Sequence, residues 1–282
     1  MTARWGWLWV LVFALGCGGP AKTGVDLREK AVSLNEAGYQ YYRQSRWKLA
    51  QEKFEQALTY NRLIDRRAGI ASNLNNLGAI AQEQGDLRQA VAYFREALAV
   101  NRELHDPAAI CETLNNLGLA YQSQGRLAEA QTAYLEALDQ ARGLPPGPLL
   151  ALSLTHLGDA ARVRKDYMAA ITYYHQAIMA DAGAKDRRGR AMRLERLGRT
   201  FLDLKDYDRA AMYLNEALAD FRGLQDSNGI VATLKDLTLL ALARGDLKEA
   251  RLNGALLLGL YQARGQEQEA RELEKMLHRG GP

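Results

Sequence analysis

One spacing dominates this chain. Gly38, Gly78, Gly118, Gly158 and Gly198 stand 40 residues apart, and Thr238 takes the sixth position. Twelve residues after each comes an alanine: Ala50, Ala90, Ala130, Ala170, Ala210 and Ala250. Seven further on stand Ala57, Ala97, Ala137, Ala177 and Ala217, then Leu257. Between the two alanines lies a large apolar residue, Phe54, Phe94, Tyr134, Tyr174 or Leu214, and Gly254 breaks that series. A period of this length makes each repeat one supersecondary unit, which buries its apolar face only by stacking on its neighbours. The chain therefore reads as six units, starting near residues 31, 71, 111, 151, 191 and 231.

Within a unit the apolar period is helical. Leu74, Leu77 and Ala81 share one helix face, and Leu87, Ala90, Phe94, Ala97 and Leu98 share another. Between them Gln84-Gly85-Asp86 supplies a glycine for the turn and a carboxylate to cap the second helix. Asp166, Asp206 and Asp246 repeat that cap, and Asp106-Pro107 places proline at a first helical position. A glycine inside a helix costs ~1 kcal/mol relative to alanine. Its recurrence implies that the second helix passes too close for a β-carbon. Pro145-Pro146-Gly147-Pro148 falls at an inter-unit junction and reads as a rigid turn. Asp26 to Ala37 leads in as a helix. Gln266 to Leu277 carries Ala270, Leu273 and Leu277 on one face, as a capping helix would.

The runs Leu74–Leu77–Gly78–Gly85–Ala90–Phe94–Ala97 and Leu114–Leu117–Gly118–Tyr121–Ala130–Tyr134–Ala137 resemble the tetratricopeptide repeat signature, over roughly residues 31–270. The period is 40 residues, where the common repeat has ~34, a lengthening similar to that of kinesin light chains. The usual proline near the end of the unit is replaced by Arg62, Arg102, Arg142, Ala182 and Arg222. The resemblance implies an all-α fold, a right-handed superhelical α-solenoid of about six helix–turn–helix units. The array is expected over 26–265, and the capping helix and tail over 266–282.

The N-terminus reads as an address. Trp5 to Leu15 is apolar, about 16 Å of helix, too short for the ~30 Å of a bilayer core but suited to an export signal. Ala14-Leu15-Gly16-Cys17 resembles a bacterial lipobox, which implies a signal peptide over 1–16, lipidation at Cys17 and a lipidated tether over 17–25. Gly18 in place of Asp points, in a Gram-negative host, to the outer membrane facing the periplasm. An ordinary cleaved signal or an uncleaved anchor is the alternative. Cleavage removes only Arg4 among charged groups and leaves 36 basic against 33 acidic side chains. With Cys17 acylated, Cys111 has no disulfide partner.

Chemistry is sparse. His105, His156, His175 and His278 show no metal-binding spacing, and Cys111 takes a slot held elsewhere by Ala31, Ala71, Ala151 and Ala191. No glycine-rich phosphate loop opens a helix. The expectation is a protein without catalytic activity, cofactor or metal, and one that binds no nucleic acid, given the small charge surplus and the expected export.

The family resemblance implies a concave groove lined by the first helix of each unit. The slots that face it would hold Asn35, Tyr39 and Tyr42, then Asn75, Asn76 and Gln82, then Asn115, Asn116 and Gln122, and further on Arg162, Arg196 and Arg199. Amides donate and accept, so such rows can hold an extended peptide backbone; equally, the two LNNLG stretches can be the trace of a recent duplication. Arg190, Arg193, Arg196 and Arg199 fall three apart on one stripe, suited to an acidic stretch of a partner, unless Glu195 and Asp203 hold it as a solvated face. The expected role is a protein-binding scaffold in the envelope, of the kind that pilus- or secretin-associated tetratricopeptide lipoproteins provide. The alternatives are a targeting or regulatory subunit for a cell-wall enzyme and a self-associating structural component.

Overall fold

The computed structural model describes residues 23–279; the expected signal peptide and Cys17 lie outside them. Among the described residues there are thirteen α-helices and no strand. They form six consecutive pairs: α1 (Thr23–Arg43) with α2 (Trp47–Leu63), α3 (Arg67–Glu83) with α4 (Leu87–Glu103), α5 (Pro107–Ser123) with α6 (Leu127–Arg142), α7 (Pro148–Val163) with α8 (Tyr167–Ala184), α9 (Arg187–Asp203) with α10 (Tyr207–Gly223), and α11 (Ser227–Arg244) with α12 (Leu247–Ala263). A last helix, α13 (Glu267–Arg279), follows. Asp26 to Ala37 is no separate lead-in; it belongs to one continuous helix, the first of unit one.

The beat of the backbone is half that of the sequence. Positions 45, 65, 85, 105, 125, 165, 185, 205, 225, 245 and 265 all have positive φ, one at every junction but that between α6 and α7, on a 20-residue beat. Four are glycines, but Ser45, Asp65, His105, Lys165, Lys185, Lys205 and Gln225 adopt the same conformation at φ between 47° and 63°. Each closes its helix: the Gly85 N–H reaches the Gln82 carbonyl and the Asp86 N–H the Ala81 carbonyl. The series skips 145, where Pro145 stands. The proline ring fixes φ near −65°, so the chain bridges α6 and α7 by the longer Gly143–Gly147 instead. The aspartate caps form as expected at Asp86, Asp106, Asp166, Asp206 and Asp246, and also at Asp186 and Asp226.

Four of the five repeated glycines meet rings and the fifth a leucine, and this sets the tightness of each pair. A β-carbon on Gly38 or Gly78 would lie 2.6 Å from Phe54 or Phe94, one on Gly158 2.6 Å from Tyr174, and one on Gly198 2.7 Å from Leu214. The large residue between the two alanines therefore occupies the space that the glycine leaves. At the C-terminal end the break in pattern has the same cause, since Leu277 of α13 fills the space beside Gly254 at 2.6 Å. Ala270 and Leu273 are buried on the sixth pair, so α13 covers the end of the core.

Consecutive helices pack together, and the first helices α3, α5, α7, α9 and α11 also touch in succession. Closer approach on that side curves the ribbon, so the first helices lie on its inner face.

Candidate functional site

The inner face is joined across unit boundaries by side chains. Asn35 Oδ1 accepts from Asn73 Nδ2 at 2.7 Å and Asn76 Nδ2 at 3.3 Å, while the Tyr39 hydroxyl donates to Asn76 Oδ1 at 3.1 Å. One unit on, Asn116 Nδ2 donates to Asn75 Oδ1 at 3.1 Å. Asn115 is 0 % exposed. Its amide donates to Ser153 Oγ at 2.9 Å, beside the buried thiol of Cys111. Asn115 is thus an interior residue and not a groove contact, because α7 packs over it. Gln122 accepts from the Tyr134 hydroxyl at 3.1 Å and is half-buried, as is Gln82. Tyr39 is 44 % exposed, with its ring edge-on to Phe54. Tyr42 is half-buried, 5.0 Å from Trp47.

The arginine stripe is neutralised by the chain itself. Arg196 Nη1 lies 2.6 Å from both oxygens of Asp159, and Arg199 donates to Asp236 at 2.9 to 3.2 Å. Arg162 pairs with Asp203 at 2.9 Å, Arg190 with Glu216 and Asp220, and Arg193 with the buried Asp181 at 3.1 Å. The expected basic track for an acidic segment is therefore absent here. The carboxylates of adjoining helices have taken its place, as ion pairs between units.

Burial perturbs several of these groups. His156, stacked on Tyr134 at 5.1 Å, has its imidazole held down to about 4 by burial. Burial pushes Asp181 up to about 6 against the pull of Arg193. Glu195 is raised by burial and by its hydrogen bond to Asp236, with Arg199 between them. Such shifts accompany catalytic groups, but each of these side chains faces a neighbouring helix of the array. Among the described residues no cluster of three His, Cys, Asp or Glu side chains is placed to hold a metal ion, and no helix is long and apolar enough to cross a membrane.

Two open clefts sit on this face at equivalent places. The first, about 160 Å³, is lined by Tyr39, Ser72, Asn75, Asn76, Asp106 and Glu112 among others. The second, about 300 Å³, is lined by Arg188, Met192, Glu195, Arg196, Arg199 and Asp226 among others. Ser72 and Met192, Asn75 and Glu195, Asn76 and Arg196, and Asp106 and Asp226 each differ by three periods. The same structural hollow is thus lined near one end by amides and hydroxyls together with the carboxylates Asp106 and Glu112, and near the other by paired charges. Ser72, Glu112 and Asp236 escape a sequence reading confined to single slots, whereas Asp159 falls on such a slot; carrying the 40-residue register through all positions of the first helix would expose the other three.

A family model for the tetratricopeptide repeat matches residues 29–103 and 109–182, and a second matches 155–225. A search of curated proteins gives no match. Solved structures with the same fold include BtubC (BKLC) from P. vanneervenii, 22 % identical over 85 % of this chain and 92 % of that one, with a TM-score of 0.66. The pilF protein of Pseudomonas aeruginosa is 19 % identical over 89 % and 99 %, with a TM-score of 0.61. Aspartyl phosphate phosphatase F of Bacillus subtilis is 14 % identical over 92 % and 72 %, with a TM-score of 0.69.

Proposed function

The chain belongs to the tetratricopeptide repeat family, and we propose that it is a non-enzymatic scaffold that holds an extended segment of an envelope partner against its inner face. The reading rests on the cleft whose walls present the neutral polar groups of Tyr39, Ser72, Asn75 and Asn76 beside the carboxylates Asp106 and Glu112, and which is reachable from solvent. Amides there can exchange their mutual hydrogen bonds for those of a peptide backbone without selecting its side chains. The lipobox-like Ala14–Cys17 supports export and lipid anchorage at Cys17, with the array on the periplasmic side of an outer membrane.

The test is capture from detergent-solubilised envelope by the full chain and by an Asn75→Ala, Asn76→Ala variant. A partner lost from the variant while its circular dichroism is unchanged supports the reading; equal capture by both sinks it. Membrane sedimentation of Cys17→Ser tests the anchor separately, and a variant that still sediments with membranes overturns it. Capture of a hydrolase or synthase would identify the targeting alternative.

Self-association is a second reading. It is supported by Leu252 and Leu256, 64 % and 48 % exposed on α12, and it requires a mass that rises with concentration in sedimentation.

A further inference from the structure

The opposite, outer face holds a cleft that the repeat pattern accounts for. It has a volume of about 440 Å³ between α4 and α6, floored by Leu98, Leu114 and Leu117 and walled by Tyr121 and Ala133. The slot of Ala133 is filled by tyrosine in other units: Tyr93, Tyr173 and Tyr213 stand one period before and one and two periods after it. Each of those rings packs on the core cluster beneath it. Unit five shows what a ring in this slot does. Tyr213 stacks on Phe201 at 5.4 Å with the planes 7° apart, and His175 meets it edge-on at 6.0 Å.

Unit three keeps the surroundings of that arrangement and lacks its centre. Tyr121 stands where Phe201 does, and Arg95 where His175 does. Arg126 lies over the Tyr121 ring at 4.4 Å, and Arg209, from a different slot of its unit, lies over Phe201 at 4.4 Å. Between them, alanine stands where unit five has its tyrosine. The charges on the rim largely cancel, since Arg102 pairs with Glu136 and Arg126 with Glu129. Arg95, bonded through Nε to the Tyr121 hydroxyl at 3.0 Å, lies over that ring at 5.7 Å, a cation that an incoming ring can face once it swings aside.

We propose that this cleft is a docking site for one aromatic side chain, phenylalanine or tyrosine, carried by a protein partner. The incoming ring takes the place of the missing tyrosine, displaces the Arg95 guanidinium from the Tyr121 ring, stacks there and is faced by that cation in turn. A buried aromatic anchor of this kind is the usual centre of a binding hot spot. The site is on the face away from the amide cleft, so either can stand without the other.

The test uses p-cresol, the side chain of tyrosine, titrated into the purified chain with labelled leucine and alanine methyl groups. Saturable shifts confined to Leu98, Leu114, Leu117 and Ala133 are expected, with 4-methylcyclohexanol roughly fivefold weaker for want of a π face. Ala133→Tyr should abolish the shifts and raise the melting temperature, since the ring enters as in three other units. Tyr93→Ala should create a second p-cresol site, read at Leu58, Leu74 and Leu77. An absence of saturable shifts in the natural chain overturns the proposal. So do shifts that persist in Ala133→Tyr, a loss of melting temperature or of the fold in that variant, or an equal response to the saturated alcohol.

Discussion

A β-carbon placed on Gly118 would stand 2.3 Å from the ring of Tyr134, the tightest of the five glycine contacts within a helix pair. Overpacking at such a point costs ~1–3 kcal/mol. Gly118→Ala should therefore lower the unfolding free energy by that amount despite alanine's better helix propensity. Gly259, in α12, has open space around it, and Gly259→Ala should instead gain about 1 kcal/mol. Urea melts of the two variants, side by side, check the sign of each.

Lys205 sits in the left-handed region at φ 62°. That conformation costs an L-residue ~1–2 kcal/mol, partly offset by the greater freedom glycine has when unfolded. Lys205→Gly should raise stability by a few tenths to about 1 kcal/mol. Lys205→Val, β-branched at the same angle, should lower it. Thermal melts of the pair decide the matter; a loss with glycine would show that the lysine side chain does more than occupy the turn.

Asn115 and Asn116 are adjacent but unequal. Removing Asn115 leaves the buried Ser153 hydroxyl without its donor, and Asn115→Ala should cost ~1–3 kcal/mol. Asn116, half-exposed and bonded to Asn75, loses a bond that water can replace. Asn116→Ala should cost under about 1 kcal/mol. Chemical denaturation that ranked them the other way would return Asn115 to the groove.

Burial holds the His156 imidazole down to about 4, whereas the unfolded chain protonates it near ~6.5. Between those values the unfolded chain takes up a proton that the folded one refuses. The stability linked to this group is therefore full above about pH 6.5 and falls by up to ~3 kcal/mol as the pH drops toward 4. Asp181, raised to about 6, has the opposite slope over part of the same range. The effect is therefore best isolated by difference. Against the natural chain, His156→Leu should gain about 2–3 kcal/mol on going from about pH 7 to about pH 4.5. Paired denaturation at the two pH values measures it, and a difference that does not change with pH refutes it.

The glycine–ring contacts were legible in the sequence because they need only two side-chain volumes held at a fixed period. The fate of the arginine stripe was not. Arg196 meets Asp159 and Arg199 meets Asp236 across 37 residues in each case. Those partners depend on how one unit is seated against the next, which no single unit's pattern contains. The 20-residue backbone beat was hidden for a different reason. Seven of its left-handed positions carry Ser, Asp, His, Lys or Gln, so the usual glycine marker is missing. Of the expected groove, the amides near Tyr39 do line a cleft, while Asn115 is covered, because the slot rule for first helices takes no account of how deeply a neighbour packs.

Because each helix packs on its sequence neighbours and on helices of the adjoining unit alone, nothing near the C-terminus is needed to complete the first pairs. A chain emerging N-terminus first, from a ribosome or through a narrow channel, can close each pair as the next helix appears. Vectorial synthesis and this architecture run in the same direction, and α13 arrives last to close the open end.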